Sequence, residues 1–156
     1  MKSFEPIDPF VESESKLNER ARRARVYHQQ LLYKQLIALV NDGVIFNREQ
    51  PDTVTIYVNG WFYIPKDNPV LLNKIIRKIK YIPHSAYFNA QYVIKGRWPE
   101  AERYIMKDPE SAYFYAQHVI KGRWPEAERY IMKDPESAYW YAKYVIKGPW
   151  PEAGIE

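Results

Sequence analysis

The 156-residue chain contains no cysteine, which excludes disulfide staples, thiolate metal centres, iron–sulfur clusters and thiol catalysis at once. Glycine is scarce, at 6 residues, so few joints can take backbone conformations closed to other residues. Long hydrophobic runs are missing. The longest stretch free of Lys, Arg, Asp and Glu, Tyr81 to Ile94, has 14 residues, short of the ~20 that span a bilayer. Met1 to Arg20 is studded with acids and lacks an apolar signal-type stretch, so a protein without membrane attachment, with the cytoplasm as its compartment, is expected. A large acidic excess is also absent. The net charge is +4 and the pI about 9.1, which argues against an acidic nucleic-acid mimic and permits a polyanionic partner.

What the chain has in quantity is rings. Fourteen Tyr, five Trp and six Phe make up 16% of it, in a chain long enough to bury roughly two thirds of its unfolded surface. Many of these rings belong to a repeat of 26 residues. Ser85–Glu110 and Ser111–Glu136 differ only at Asn89/Tyr115 and Tyr92/His118, and a third copy, 137–156, matches at 13 of 20 positions before it stops. Such periods mark stacked units, none of which can bury its apolar face alone.

Each unit predicts two short helices. Asp108-Pro109-Glu110 supplies an N-cap carboxylate, a proline at the first helical position and an acid in the first turn, and Lys121-Gly122 a stop. Trp124-Pro125-Glu126 restarts the chain, because a residue before proline is pushed out of the α region. In the first helix Ala112, Ala116 and Val119 share the buried side. The third copy carries Pro149 and Gly154 in place of Arg and Glu and loses its second helix, as an end unit lacking a neighbour would.

The words GRWPEAE and KDP, within the pattern DPxxAYxYAxxVIKGRWPEAExYIMKDP, resemble the tandem helical repeats of tailed-bacteriophage proteins over residues 85–153. The resemblance implies a viral origin, a helical array and the host cytoplasm. It assigns no catalytic or binding residue.

Upstream the pattern predicts a loose arm, a long helix over about 13–41, a short strand at Val44-Ile45-Phe46, a hairpin over about 53–64 turning at Asn59-Gly60, and a helix over about 69–82. The buried stripe of that last helix is Leu71, Leu72, Ile75, Ile76 and Ile79, and it stands as the second helix of a degenerate zeroth unit. The expected fold is thus mostly α with a small β element: an N-terminal segment, 1–84, and three repeats, 85–110, 111–136 and a truncated cap at 137–156. The long helix exceeds the core of a small domain, which suggests a homodimer through it.

Residues 1–84 hold 13 basic and 9 acidic side chains, whereas the repeats are neutral. If nucleic acid binds, the contact is therefore expected at Arg20, Arg22, Arg23 and Arg25 and at Lys74, Arg77, Lys78 and Lys80; the plainer reading of these charges is a solvated helix face. Rings that recur with the period are expected to be packing. Positions that break or border the repeat, Tyr115, His118, Trp140 and Tyr144, are the candidate protein-interaction surface. No catalytic, metal or cofactor site is expected: the three histidines fall into no ligand spacing, and no phosphate loop, dinucleotide fingerprint or nucleophile elbow is present. The functional expectation is a non-enzymatic, phage-encoded adaptor or inhibitor that presents its helical-repeat surface to a host or viral protein, host defence proteins included. The alternatives are a DNA- or RNA-binding protein that uses the basic half and a self-assembling viral structural component.

Overall fold

A computed structural model describes residues 14–156, with the side chains of 14–19, 21, 22, 24 and 25 excepted. The chain is mostly helical with one two-stranded antiparallel sheet. Helix α1 is Glu14–Asn41, β1 Thr53–Tyr57, β2 Trp61–Pro65 and α2 Pro69–Lys80. Three helix pairs follow, the last incomplete: α3 (Pro83–Asn89) with α4 (Pro99–Ile105), α5 (Pro109–Tyr115) with α6 (Pro125–Ile131), and α7 (Pro135–Tyr141) with a 3₁₀ turn at Pro151–Ala153. The expected arm, Met1 to Phe10, lies outside the described residues. So do most of the side chains in the first half of α1, where the expected pairing of two copies would take place.

The hairpin forms, but its turn is not the expected two-residue Asn59-Gly60 connection. Tyr57 pairs with Trp61 and Ile56 with Phe62, so the register is centred on Asn59, which takes φ 53°. The hydrophobic pattern explains the shift. Facing residues share a side of the sheet, so this register puts Ile56, Val58, Phe62 and Ile64 on one buried face, whereas a two-residue turn would send Phe62 and Ile64 to the side opposite Ile56 and Val58. Burial of four side chains outweighs the local turn preference. The Val44-Ile45-Phe46 segment contributes only a single bridge, between Phe46 and Tyr63.

Two cores lie in sequence. Leu32 and Leu36 of α1, Ile45, the inner face of the hairpin and Ile75 and Ile79 of α2 form the first; the alanines and rings of the repeats form the second. Of the expected α2 stripe, Ile75 and Ile79 are fully buried, while Leu71, Leu72 and Ile76 are half-buried. Trp98 packs against both cores and joins them. α2 packs on α3 in the way that α4 packs on α5 and α6 on α7, the arrangement of a zeroth unit.

Within a unit, α3, α5 and α7 each run into a five-residue π turn: Ala90–Ile94, Ala116–Ile120 and Ala142–Ile146. The wider turn ends on a left-handed residue, and that residue is lysine: Lys95, Lys121 and Lys147 at φ 59°, 62° and 63°. The backbone N–H groups of Lys121 and Gly122 both donate to the Ala116 carbonyl, at 2.8 and 3.2 Å. This double closure places both N–H groups on one carbonyl, unlike a Schellman motif, which satisfies two. The glycine expected to make the stop therefore stands one residue late, at a position without positive φ.

Candidate binding surfaces

Units are joined by one tyrosine each. The Trp98 N–H donates to the Tyr115 hydroxyl at 2.8 Å, and that hydroxyl donates to Glu102 Oε2 at 2.6 Å. Tyr141 repeats the arrangement one unit on, with Trp124 and Glu128 at 2.8 and 2.6 Å. Arg97 and Arg123 close the network with two hydrogen bonds each to Glu102 and Glu128. Burial first, and then the hydrogen bond to the neighbouring carboxylate, push both tyrosine hydroxyls far above their ordinary pKa. Burial opposes ionisation of Glu102, yet the bonds from Arg97 and Tyr115 hold its carboxyl below the usual range; for Glu128 the Arg123 hydrogen bond is the largest cause of the same shift.

Tyr115 thus leaves the candidate interaction surface, because it is 0% exposed and spent on the joint between units. The zeroth unit before the first has Leu72 and Ile76 at the positions of Trp98 and Glu102, and there Asn89 takes the place of the tyrosine. The Asn89 amide accepts from Tyr57 N at 2.9 Å and donates to Tyr57 O at 2.7 Å, docking the end of β1 on the array. The sequence difference at 89/115 is therefore the difference between docking on a hairpin and docking on a repeat.

The remaining candidates stay outside. His118 and Tyr144 are exposed and Trp140 is half-buried. They belong to ring pairs four residues apart and nearly parallel: Phe88/Tyr92, Phe114/His118 and Trp140/Tyr144, with centroids 5.7, 6.3 and 5.7 Å apart. The hairpin extends the row through Tyr57 on Phe88 and Trp61 on Tyr92. Lys143 Nζ lies 5.4 to 5.9 Å from the rings of Tyr139, Trp140 and Tyr144. Burial lowers the His118 pKa, so the ring is neutral at pH 7.

No family model, curated protein or solved structure matches this chain. Functional reading therefore rests on the surfaces themselves.

The second surface is a groove between α1 and α2. Two adjoining cavities of about 290 and 300 Å³ share Leu32, Gln35 and Lys78 in their walls. Leu31, Leu39, Leu71 and Tyr81 supply further apolar lining, with Leu31 and Tyr81 exposed. Lys74 and Lys78 stand on the rim, Lys78 donating to Gln35 Oε1 at 3.2 Å. Of the residues assigned to nucleic acid, Lys74, Arg77 and Lys78 are exposed on α2, and Lys80 is half-buried with its Nζ 5.1 Å from the Tyr81 ring. Arg20 and Arg23 are exposed on α1, while Arg22 and Arg25 lie outside the described side chains. Arg20 and Arg23 do not share a site with the α2 cluster: Lys78 meets α1 at Gln35, three turns and about 18 Å from Arg23.

Among the described residues no group of three or more His, Asp or Glu is placed to hold a metal ion, and no helix is long and apolar enough to cross a membrane.

Proposed function

We propose that this chain is a non-enzymatic, phage-encoded adaptor that captures a host or viral protein by accepting an amphipathic helix in the α1/α2 groove. The observation that carries the reading is the continuous apolar groove with Lys74 and Lys78 on its rim. Leu31 to Leu39 spans about 12 Å of α1, the reach of two turns of a docked helix with anchors at steps of three and four. The basic rim selects a partner helix with acids beside its apolar stripe. A partner that belongs to host defence would make the adaptor an inhibitor.

Affinity purification from infected cells with the wild-type chain and with Leu31→Glu tests this. A protein partner retained at high salt by the first and lost by the second is expected. The measured mass in solution separates the remaining reading: a dimer abolished by Leu31→Glu would mean that a second copy fills the groove, as expected for a self-assembling component.

A further inference from the structure

The outer stripe of the array has a chemistry that the groove lacks. On the first helix of every unit, positions four apart set a stacked ring pair on the outside, Phe88/Tyr92, Phe114/His118 and Trp140/Tyr144, and Lys95, Lys121 or Lys147 follows three residues after the outer ring. The rings that hold the array together are other ones: Tyr115, Tyr141, Trp124 and Trp150 are at most 2% exposed. By contrast the outer ring of each stacked pair, Tyr92, His118 or Tyr144, is exposed, and no buried core needs it there.

Charge divides the same way. The ten basic and ten acidic side chains of residues 85–156 are unevenly placed. The first helices with their N-caps Asp108 and Asp134 and their following loops carry six basic against four acidic residues, and the second helices with the terminal turn carry four against six. In the basic layer Arg97 and Arg123 are taken by Glu102 and Glu128, which leaves Lys95, Lys121, Lys143 and Lys147, all exposed. The acids of this layer, Asp108, Glu110, Asp134 and Glu136, stand at the N-cap or in the first helical turn, eleven or thirteen residues before Lys121 and Lys147, so the lysine end of the stripe is basic.

The lysines at 95, 121 and 147 also contradict local preference. Each holds a left-handed conformation that favours glycine, while a glycine follows where no positive φ requires it. A conflict between residue and backbone that recurs in all three units marks a residue kept for something other than folding.

We propose that this stripe binds single-stranded nucleic acid. Bases stack on Tyr92, His118 and Tyr144, as on the aromatic platforms of single-strand binders, and the lysines neutralise phosphates. Helical repeats that take one base per unit use the same economy of one ring position per helix. Lys143, set among three rings, strengthens the third platform as a cation.

The test is fluorescence anisotropy of the full chain with labelled 12-mer oligo(dT), oligo(U) and a duplex of equal length, at ~50 and ~200 mM salt. Binding of one or both single strands, at least tenfold tighter than the duplex, is expected, and the two single strands separate DNA from RNA. Tyr92→Ala with Tyr144→Ala should weaken binding at least tenfold. Lys95→Gln with Lys121→Gln and Lys147→Gln should reduce the salt slope by about 2, since each single-strand phosphate contributes about 0.7. Leu31→Glu in the groove should leave oligonucleotide binding unchanged, which separates this site from the adaptor reading. If the double tyrosine variant melts early, the salt slope of the lysine variant decides. No binding at the lower salt, equal affinity for duplex, loss by Lys74→Gln with Lys78→Gln in place of the stripe variants, or equally tight binding of polyglutamate overturns the proposal; the last outcome assigns the stripe to an acidic polypeptide.

Discussion

Tyr115 donates its hydroxyl proton to Glu102 of the preceding unit at 2.6 Å while accepting the Trp98 N–H. The relationship sets the third copy apart. There the counterparts of Arg97 and Glu102 are Pro149 and Gly154, so both members of the ion pair are missing. In its place Trp150 and Ile155 close a bridge with mutual backbone bonds of 2.7 and 3.0 Å, and Gly154 takes the left-handed turn at φ 74°. The cap keeps Trp150 buried without the pair.

Removing the joint while keeping its ring gives the first prediction. Tyr141→Phe deletes one hydroxyl and leaves the buried Trp124 N–H without its acceptor. An unsatisfied buried donor costs about 1–3 kcal/mol. Urea denaturation should show a loss of that size, and an unchanged midpoint would show that the joint rests on ring packing alone.

Acid should loosen the same joints. Glu102 and Glu128 have folded pKa values below the ordinary value of 4.5, so their contribution to stability is fully present above the unfolded pKa and is lost as the pH falls through the folded values. Melting temperatures should therefore decline as the pH drops below about 4.5. Glu102→Gln with Glu128→Gln should start lower at pH 7 and decline less between pH 5 and 3. Parallel curves for the two proteins would remove these carboxylates from the acid response.

Deleting one whole unit, Ser111 to Glu136, should leave a folded protein. Tyr141 then arrives where Tyr115 stood, with Trp98 and Glu102 at the same separations in sequence, and the cap follows unchanged. Stability falls by one unit and one interface. Circular dichroism should show a cooperative melt at a lower temperature, whereas a deletion of 13 residues joins unlike helices and should abolish it.

The repeat arithmetic makes much of the array legible. Proline positions 83, 109 and 135 begin α3, α5 and α7, and Ala116, expected on the buried side, is 0% exposed. The sequence also marks Asn89, Tyr115 and His118 as the places where copies differ. Their roles are not legible there, because Tyr115 acts 13 and 17 residues away and Asn89 acts on a hairpin 32 residues away, separations that only the folded chain brings together. The turn at Asn59 escapes the pattern for a related reason. A dipeptide preference is local, and it is silent on which register puts Ile56 and Phe62 on one face. The π turns have no signal in the pattern at all, since Ala-Gln-Tyr-Val-Ile reads as ordinary helix and only the left-handed Lys95 shows where the extra residue went.

Asn89 offers the sharpest separation of the two cores. Its amide is 4% exposed and satisfies both the N–H and the C=O of Tyr57, and its Nδ2 also reaches Ser85 O at 2.7 Å. Asn89→Ala should cost about 1–3 kcal/mol, because the Tyr57 backbone groups lose their partner without gaining water freely. Asn89→Asp should cost more than the alanine change, since a carboxylate in that place would face the two carbonyls that Nδ2 now serves. The position of the damage is as informative as its size. Native-state hydrogen exchange should lose protection at the Tyr57 amide, which Asn89 holds, while the Trp124 amide, held by Tyr141 in the far joint, keeps its own. Loss of protection at both amides alike would mean that the hairpin and the array unfold as one cooperative unit and that Asn89 stabilises the whole chain instead of pinning a junction.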